Sequence, residues 1–453
     1  MSDGTLFICK GAGFVPAYLQ AAAGKGAVAY LSEQPVPGAP EYLTPVLVKD
    51  IRRAMAVVAC RFYRDPSSCM KLIGFTGTKG KTTSAYMSRS IMAETGVSWG
   101  LMGSIETDTI RRVIPSRLTT PEAPDFQKCL REMVDAGAPG ASVEVSSQGL
   151  QYHRVDGTFF ACGVFLNLSE DHISPREHRD FDEYLAAKAR LFTMCKTGIV
   201  NNDDPNTPRI LARSACEKLL TFGIDRQADV MAREIVYTPS GTDFTLVTPW
   251  FEGRAELHMP GRFNLMNALA AVAACGHLGA PFEAVHSGLA SVQVRGRAEV
   301  LNGGGITVVV DFAHNKLSFE TLVSAMRENY PGRRIVVVFG SVGGKAFARR
   351  RDLGLAAAAL CDYSYVTSDH PGPENPLDIC KEIARYIEQG RGAYEICVDR
   401  KTAIEKAIGT AREGDVLLLL GKGQEQYQTV DGRDIPYEGD LAIARACLMM
   451  RGG

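Results

Sequence analysis

Leu72-Ile73-Gly74-Phe75 followed by Thr76-Gly77-Thr78-Lys79-Gly80-Lys81-Thr82-Thr83 reads as a buried strand, a glycine-rich turn and the opening of a helix over Thr82–Glu94. That order is the structural context of a phosphate loop. Glycines let backbone N–H groups close on an anion with no Cβ in the way, and the helix N-terminus adds its partial positive charge. Gly77, Thr78, Gly80 and Thr83 form the cradle, Lys81 reaches the outer phosphates, and Thr82 offers a hydroxyl to Mg²⁺. The strict pattern G-x-x-x-x-G-K-[ST] misses by one position, because Phe75 occupies the first glycine slot. A glycine-rich turn with a chance Lys-Thr is the bland alternative. Strand, loop and helix in sequence favour binding of a nucleoside triphosphate, which by itself names no reaction.

Outward from this stretch, short β-rich runs recur at Ser142–Val145, Val164–Leu168 and Gly198–Val200, separated by helical segments such as Phe126–Ala136. Such alternation predicts parallel strands with crossover helices, an α/β doubly wound sheet. A second series starts near Ala298, with strands predicted at Thr307–Val310, Ile335–Phe339, Tyr363–Thr367 and Val416–Leu420. Gly296-Arg297 is the expected hinge between the two. Before Lys71, the pieces Leu6–Cys9, Tyr18–Ala23, Ala27–Leu31 and Pro45–Val48 make a small α/β unit, joined onward through Arg64-Asp65-Pro66-Ser67-Ser68. The expected domains are therefore 1–66, 67–297 and 298–453.

The chain has 453 residues, 45% hydrophobic and 22% charged, which excludes disordered and fibrous classes. Lys+Arg number 50 against 51 Asp+Glu, a net charge of −1 that argues against bulk electrostatic binding of nucleic acid or anionic membrane. Twelve cysteines without a C-x-x-C pair suit reduced thiols of a cytoplasmic protein. Met1-Ser2-Asp3-Gly4 lacks the features of a signal peptide, and no apolar run approaches the roughly 18–20 residues that span a bilayer.

A second cluster carries chemistry. Glu144 ends an apolar strand in Val143-Glu144-Val145-Ser146-Ser147, and carboxylates at strand ends beside a phosphate loop hold a metal or its waters. A surface strand end is the alternative. Asn167-Leu168-Ser169-Glu170-Asp171-His172 follows another buried strand, and Lys188 lies among alanines on an amphipathic helix from Tyr184 to Phe192. Taken alone, His172 reads as a structural histidine and Lys188 as a surface lysine with a snorkelling stem.

The segments TGTKGKTT, EVSSQGLQYHRV (Glu144–Val155), NLSEDH (Asn167–His172), AAKARLF (Ala186–Phe192), NNDDP (Asn201–Pro205), GRFNLMNALAA (Gly261–Ala271), DFAHNKLSFE (Asp311–Glu320) and GKGQEQYQ (Gly421–Gln428) stand in this order. Together they resemble the Mur ligase family, in the branch that adds the third residue of the peptidoglycan stem peptide. The resemblance implies a small UDP-binding domain, a central ATP-binding domain with a P-loop ATPase-like parallel sheet, and a C-terminal Rossmann-like domain that brings the amino acid. It implies ATP and two Mg²⁺ sites, with Lys81 on the nucleotide phosphates, Thr82 and Glu144 at one ion, His172 at the second, and a carbamylated Lys188 near Mg²⁺. Asn264 and Asn267 match adenine-side positions. Arg297, Asp311 and His314 match nucleotide contacts, whereas Thr119, Thr120, Ser147 and Arg154 match segments that hold the acceptor peptide. Asp369, His370, Gly421 and Glu425 fall in the segments matched to the incoming amino acid.

The implied reaction is amide bond formation: a carboxylate of UDP-N-acetylmuramoyl-dipeptide attacks the γ-phosphate, and an amine captures the acyl phosphate. A monomer in the cytoplasm is expected. Four departures qualify this. The family's opening strand is missing, so an altered uridine pocket is expected. Where diaminopimelate-adding enzymes carry Asp-Asn-Pro-Arg, this chain has Asp369-His370-Pro371-Gly372. Glycine offers no bidentate grip on a distal carboxylate, which favours L-lysine or another amine without that group. Lys79 replaces an asparagine common in the loop, and the stretch from His172 to Lys188 is long. Lys345, Arg349 and Arg350 form a basic loop that either binds substrate carboxylate or faces solvent. Two other readings stay open: a paralogue using a different carboxylate acceptor, as folylpolyglutamate synthetases do, and a nucleotide-binding scaffold without turnover.

Overall fold

The computed structural model describes residues 4–11, 13–170, 173–174, 177–239, 241–345 and 347–452. It divides into two compact units, Met1–Asp229 with Ala270–Ala280, and Val230–Leu269 with Pro281–Gly453.

The first unit opens with three parallel strands, β1 (Thr5–Ile8), β2 (Ala27–Ser32) and β3 (Thr44–Leu47), in that spatial order. Helix α1 (Pro16–Ala23) begins on a proline, whose fixed φ suits a first turn, and buries Leu19, Ala22 and Ala23 against Ala27 and Tyr30. Helix α2 (Ile51–Phe62) is capped by Asp50, whose carboxylate accepts the Arg52 and Arg53 N–H groups at 3.0 Å each.

The larger part of this unit runs β4 (Lys71–Thr76), α3 (Lys81–Glu94), β5 (Trp99–Met102), β6 (Glu106–Asp108), β7 (Val113–Pro115), α4 (Ala123–Asp135), β8 (Gly140–Glu144), α5 (Ser147–Gln151), β9 (Phe160–Phe165), α6 (Phe181–Ala189), β10 (Cys195–Asn201), α7 (Thr207–Leu211) and β11 (Lys218–Gly223). Within the unit these strands lie in the order β11-β10-β9-β4-β8-β5-β6-β7. β11 to β5 are parallel, and β6 and β7 add antiparallel. Parallel strands covered on both faces need continuous apolar runs. Leu72, Ile73, Phe75, Ala141, Val143, Val164, Phe165, Ile199 and Val200 are accordingly fully buried. The chain leaves β4 in one direction and β8 and β9 close on either side of it, so the carboxyl ends of these three strands form the switch-point crevice.

One expected strand is corrected. The run Val164–Leu168 stays extended only to Phe165. Asn167 instead turns across the phosphate loop and accepts the Thr78 N–H at 3.0 Å. Gly77 allows this, for its φ is +156° and a Cβ there would lie 2.9 Å from Leu166 Cβ.

The second unit begins with an antiparallel meander, β12 (Val230–Thr238), β13 (Gly241–Val247) and β14 (Glu252–Leu257), which sequence reading did not anticipate. Helix α8 (Arg262–His277), which is counted with this unit only as far as Leu269, and α9 (Phe282–Ser291) follow, Phe282 lying against Gly253. Next come β15 (Glu299–Gly303), β16 (Ile306–Asp311), α10 (Lys316–Asn329), β17 (Ile335–Phe339), α11 (Ala348–Leu360), β18 (Tyr363–Val366), α12 (Pro376–Gln389), β19 (Tyr394–Ile396), α13 (Arg400–Thr410), β20 (Val416–Leu420), the hairpin β21 (Tyr427–Val430) and β22 (Arg433–Pro436), and α14 (Asp440–Gly452). The sheet order is β15-β16-β20-β17-β18-β19, with β15 antiparallel and the rest parallel, and separate apolar cores cover its two faces. Central strand β20 is buried at all five residues.

One residue of the basic loop is corrected as well. Arg350 is 3% exposed and its guanidinium meets Glu374 and Glu382 at 2.7 Å each. It fastens the start of α11 and neither faces solvent nor waits for a substrate. Among the described residues no helix is long and apolar enough to cross a membrane. All twelve cysteines are free.

Candidate active site

In the first unit, the turn after β4 is held from several sides. Lys79 N–H donates to Asn167 Oδ1 at 2.9 Å, and Asn167 Nδ2 returns a bond to Lys79 O at 3.1 Å. Tyr184 OH donates to Thr78 Oγ1 at 3.1 Å. Leu168 N–H and Asn206 N–H are accepted by Asp204 at 2.8 and 2.7 Å, which anchors the covering loop from the NNDDP segment. Gly80, at φ +88°, is the N-cap of α3 and brings no side chain to cap it, and a helix N-terminus of this kind suits an anion. The Lys81 ammonium donates to Gly77 O at 2.8 Å and Thr78 O at 3.2 Å.

Lys188 is no surface residue. It is 1% exposed, and its ammonium donates to the same Gly77 carbonyl at 2.9 Å, 4.4 Å from the centre of the Tyr184 ring. Nor is Glu144 a surface strand end. It is 1% exposed, and Oε2 accepts Thr82 Oγ1 at 3.0 Å and Ser104 Oγ at 3.1 Å, while Oε1 accepts Ser104 N–H at 2.7 Å. Gly103 makes room: a Cβ there would lie 2.2 Å from Glu144 Oε1. An anionic oxygen beside a threonine hydroxyl suits a hard divalent cation. Thr83 is buried in the first turn of α3. His172 lies outside the described residues.

The acceptor-side residues gather next to Glu144. Thr119 Oγ1 accepts Ser104 Oγ at 3.0 Å, and Thr120 Oγ1 donates to Glu144 O at 2.9 Å while accepting Ser146 N–H at 3.0 Å. Ser147 Oγ is 2.9 Å from Nε2 of the fully buried His178. Arg154 donates to Thr120 O at 3.2 Å and pairs with Glu122.

In the second unit, Arg297, Asp311 and His314 lie close around one turn. Asp311 Oδ2 accepts Ala298 N–H and Oδ1 accepts Ala313 N–H, each at 2.7 Å. Its carboxylate thus fixes the backbone on both sides. Arg297 stacks its guanidinium 4.8 Å from the Phe312 ring centre, and the other ring edge meets His314, centroids 4.7 Å apart. His314 Nδ1 donates to Phe312 O at 2.8 Å. Asn264 donates to Pro260 O at 2.8 Å, and both Asn264 and Asn267 are buried on α8.

Asp369, His370 and Glu425 converge beyond β18 and β20. His370 Nδ1 accepts Thr429 N–H at 2.9 Å, so Nε2 is directed at Glu425 Oε2 and at the fully buried Lys422 Nζ, both 2.8 Å away. Gly421 lets Asp369 approach, for a Cβ there would lie 3.1 Å from Asp369 Oδ2. The three residues offer ligand atoms within 4.8 Å of one another. The Lys422 ammonium already stands among them, 3.2 Å from Glu425 and 3.8 Å from Asp369, so the cation they hold is an amine. Burial pushes the Lys422 pKa down, against the pull of Asp369 and Glu425. Burial would raise the Glu425 carboxyl, but the His370 hydrogen bond and Lys422 outweigh it and hold it low.

Sequence reading missed Ser104, which no motif marks, and Lys422, which stood inside GKGQEQYQ without a role. Tyr184 and Asp204 were likewise inside quoted segments.

The Mur ligase middle domain matches residues 75–275, and the Mur ligase glutamate ligase domain matches residues 296–423. The chain belongs to the Mur ligase family. It is 38% identical over 422 residues to a UDP-N-acetylmuramoyl-L-alanyl-D-glutamate–2,6-diaminopimelate ligase of Caldanaerobacter subterraneus subsp. tengcongensis, covering 93% of this chain and 87% of the relative. It is 37% identical over 456 residues to a UDP-N-acetylmuramoyl-L-alanyl-D-glutamate–L-lysine ligase of Enterococcus faecalis, covering 98% and 88%. The solved structure of a UDP-N-acetylmuramoyl-L-alanyl-D-glutamate–2,6-diaminopimelate ligase superposes with a TM-score of 0.73 at 25% identity, over 100% of this chain and 93% of that one. A Mur ligase thus carries both the buried Glu144–Thr82 pair and the Lys422-centred carboxylate cluster.

Proposed function

We propose that this Mur ligase is an ATP-dependent ligase that joins an amino acid, L-lysine in preference to diaminopimelate, to UDP-N-acetylmuramoyl-L-alanyl-D-glutamate in peptidoglycan synthesis. It acts as a cytoplasmic monomer whose segments 1–66, 67–297 and 298–453 serve the UDP-linked acceptor, ATP and the amino acid. The observation that carries the reading is the buried Glu144 carboxylate, gripped by Thr82 and Ser104 beside a turn whose carbonyl holds two lysines.

Thr82 and Glu144 would hold one Mg²⁺, and Lys188 as a carbamate, with His172, would serve a second. Bound there, Mg²⁺ would neutralise charge on the phosphoryl group. The chain's own part is positioning and electrostatics. The N–H groups of the Gly77–Thr83 turn and the Lys81 ammonium bind the triphosphate. Thr119, Thr120, Ser147 and Arg154 hold the acceptor peptide, and an oxygen of its reacting carboxylate attacks the γ-phosphorus in line and releases ADP. The amine then attacks the acyl phosphate carbonyl, and phosphate leaves from the tetrahedral adduct.

Charge supports the choice of amino acid. Asp369 and Glu425 count −2 and Lys422 +1, which leaves −1 around neutral His370. Gly372 supplies no guanidinium. A side-chain ammonium is attracted there and a distal carboxylate is repelled. Phosphate release from ATP, followed with the UDP-linked dipeptide and a panel of amines, tests the reading. Release that requires both acceptor and L-lysine is expected, with the tripeptide seen by mass. ATP binding without acceptor-dependent release from any amine defeats it.

A further inference from the structure

The acceptor-side residues are tied to the N-terminal sheet by a chain of charges. Arg154 is 9% exposed; its Nε and Nη2 lie 3.1 and 3.0 Å from Glu122 Oε1. The other oxygen, Glu122 Oε2, meets Lys10 Nζ at 2.5 Å, across 112 residues of sequence. Lys10 leaves the end of β1, where Cys9 N–H is bonded to Leu31 O. From Arg154 the connection continues through Thr120 O and the Thr120 hydroxyl to the Glu144 backbone.

The charges decide what this chain does. Glu122 and Arg154 alone cancel, and an Arg already matched by a carboxylate has little left for an incoming anion. Lys10 restores a net +1, and Arg52, stacked 4.5 Å over Tyr152, adds to the positive field. Burial opposes ionisation of Glu122, but the Lys10 hydrogen bond and Arg154 hold its carboxyl below the usual range. With side chains only 22% and 27% exposed, the Lys10–Glu122 pair escapes much of the salt screening of a surface pair.

We propose that Lys10 is a positioning and specificity residue for the acceptor: by neutralising Glu122 it releases the Arg154 charge to attract the dipeptide carboxylate that the reaction does not consume. The inference rests on the acceptor reading given above. A mere tether between the N-terminal sheet and the loop at Glu122 would use the same contact, so the test must separate charge from attachment.

Lys10→Gln keeps a stem and a donor toward Glu122 but removes the charge, and Lys10→Met is measured beside it. The KM for the UDP-linked dipeptide rises roughly tenfold, while kcat and the KM values for ATP and the amine stay within about twofold. Lys10→Arg behaves as wild type. The decisive variant combines Lys10→Gln with Glu122→Gln: Arg154 is then uncompensated, and most of the acceptor KM is recovered. A tether predicts that the double variant is no better than the single. Wild-type-like acceptor KM in Lys10→Gln and Lys10→Met, or a double variant as poor as Lys10→Gln, overturns the role of Lys10 alone. Wild-type protein that consumes no acceptor overturns the functional proposal and this inference with it.

Discussion

Gly103→Ala isolates the Glu144 carboxylate without touching any group that meets substrate. The added Cβ would lie 2.2 Å from Glu144 Oε1 and 3.0 Å from its carboxyl carbon, where ordinary contact begins at 3.4 Å. The carboxylate must therefore retreat by about 1 Å. It is 1% exposed and held at 2.7 Å by Ser104 N–H and at 3.0 Å by Thr82 Oγ1, so it has no solvent to move into. Retreat weakens one or two hydrogen bonds to a charged group, each worth about 1.5–3 kcal/mol. A displacement of about 1 Å in an aligned catalytic group costs on the order of 100-fold in rate. Acceptor-dependent phosphate release, measured across a magnesium titration, should show kcat/KM for ATP down by about two orders of magnitude, with saturation moved to higher magnesium. Thermal melting establishes that the variant is folded. A folded Gly103→Ala protein that turns over within threefold of wild type at every magnesium concentration would refute the placement of Glu144 in the reaction.

Three further outcomes are expected. Lys188→Ala should abolish turnover, and short carboxylates such as formate or acetate should restore part of it, read by phosphate release; full activity in the alanine variant removes Lys188 from the mechanism. Arg350→Met leaves Glu374 and Glu382 without their shared partner, which costs about 3 kcal/mol and lowers the melting temperature, while the choice between lysine and diaminopimelate stays as it was. Cys216 lies 3.3 Å from Cys195, whose S–H stabilises its thiolate against burial and brings its pKa down to about 7. Iodoacetamide modification of Cys216 in the native protein, followed by peptide mass, should rise through that pH rather than near the ~8.5 of an ordinary thiol. The sign for stability follows for the pair: Cys216 adds stability as pH rises from about 7 toward the unfolded value, and Cys195, whose thiol is held up by Cys216 and burial, takes it back at higher pH.

The sequence made some of this plain because the signal is local. Leu72–Phe75 followed by glycines states a strand and an anion turn within twelve residues, and Val416–Leu420 can only be an interior strand. What stayed hidden depends on distance. Ala186, Ala187 and Ala189 give Lys188 no apolar stripe to mark its side as inward, so its burial emerges only when α6 packs beneath the loop at Gly77. Arg350 could be read only as a substrate contact or a solvent-facing residue because its two partners come 24 and 32 residues later. The meander β12–β14 was missed since Arg233 and Glu234 interrupt the alternation at a register shift. Ser104 holds Glu144 mainly through its main-chain N–H, and any residue type supplies that.

The convergence of two ammonium groups on one carbonyl explains why the proposed carbamate belongs at Lys188. Gly77 O has lone pairs for both Lys81 and Lys188, at 2.8 and 2.9 Å, so hydrogen-bond count raises no objection. Electrostatics does: like charges brought to one carbonyl repel, and Lys188 is buried where water screens little. A turn of this kind at a helix N-terminus calls for negative charge. Triphosphate answers one part of that demand by drawing Lys81 outward. The proposed addition of carbon dioxide to the neutral Lys188 amine, with loss of a proton, would answer the other, leaving −1 in place of +1 at the end of a long stem. An aspartate or glutamate at position 188 would carry the same sign but end several bonds short of where a carbamate tip would lie. A lysine stem with a carboxylate tip meets both the reach and the charge that this corner of the sheet requires.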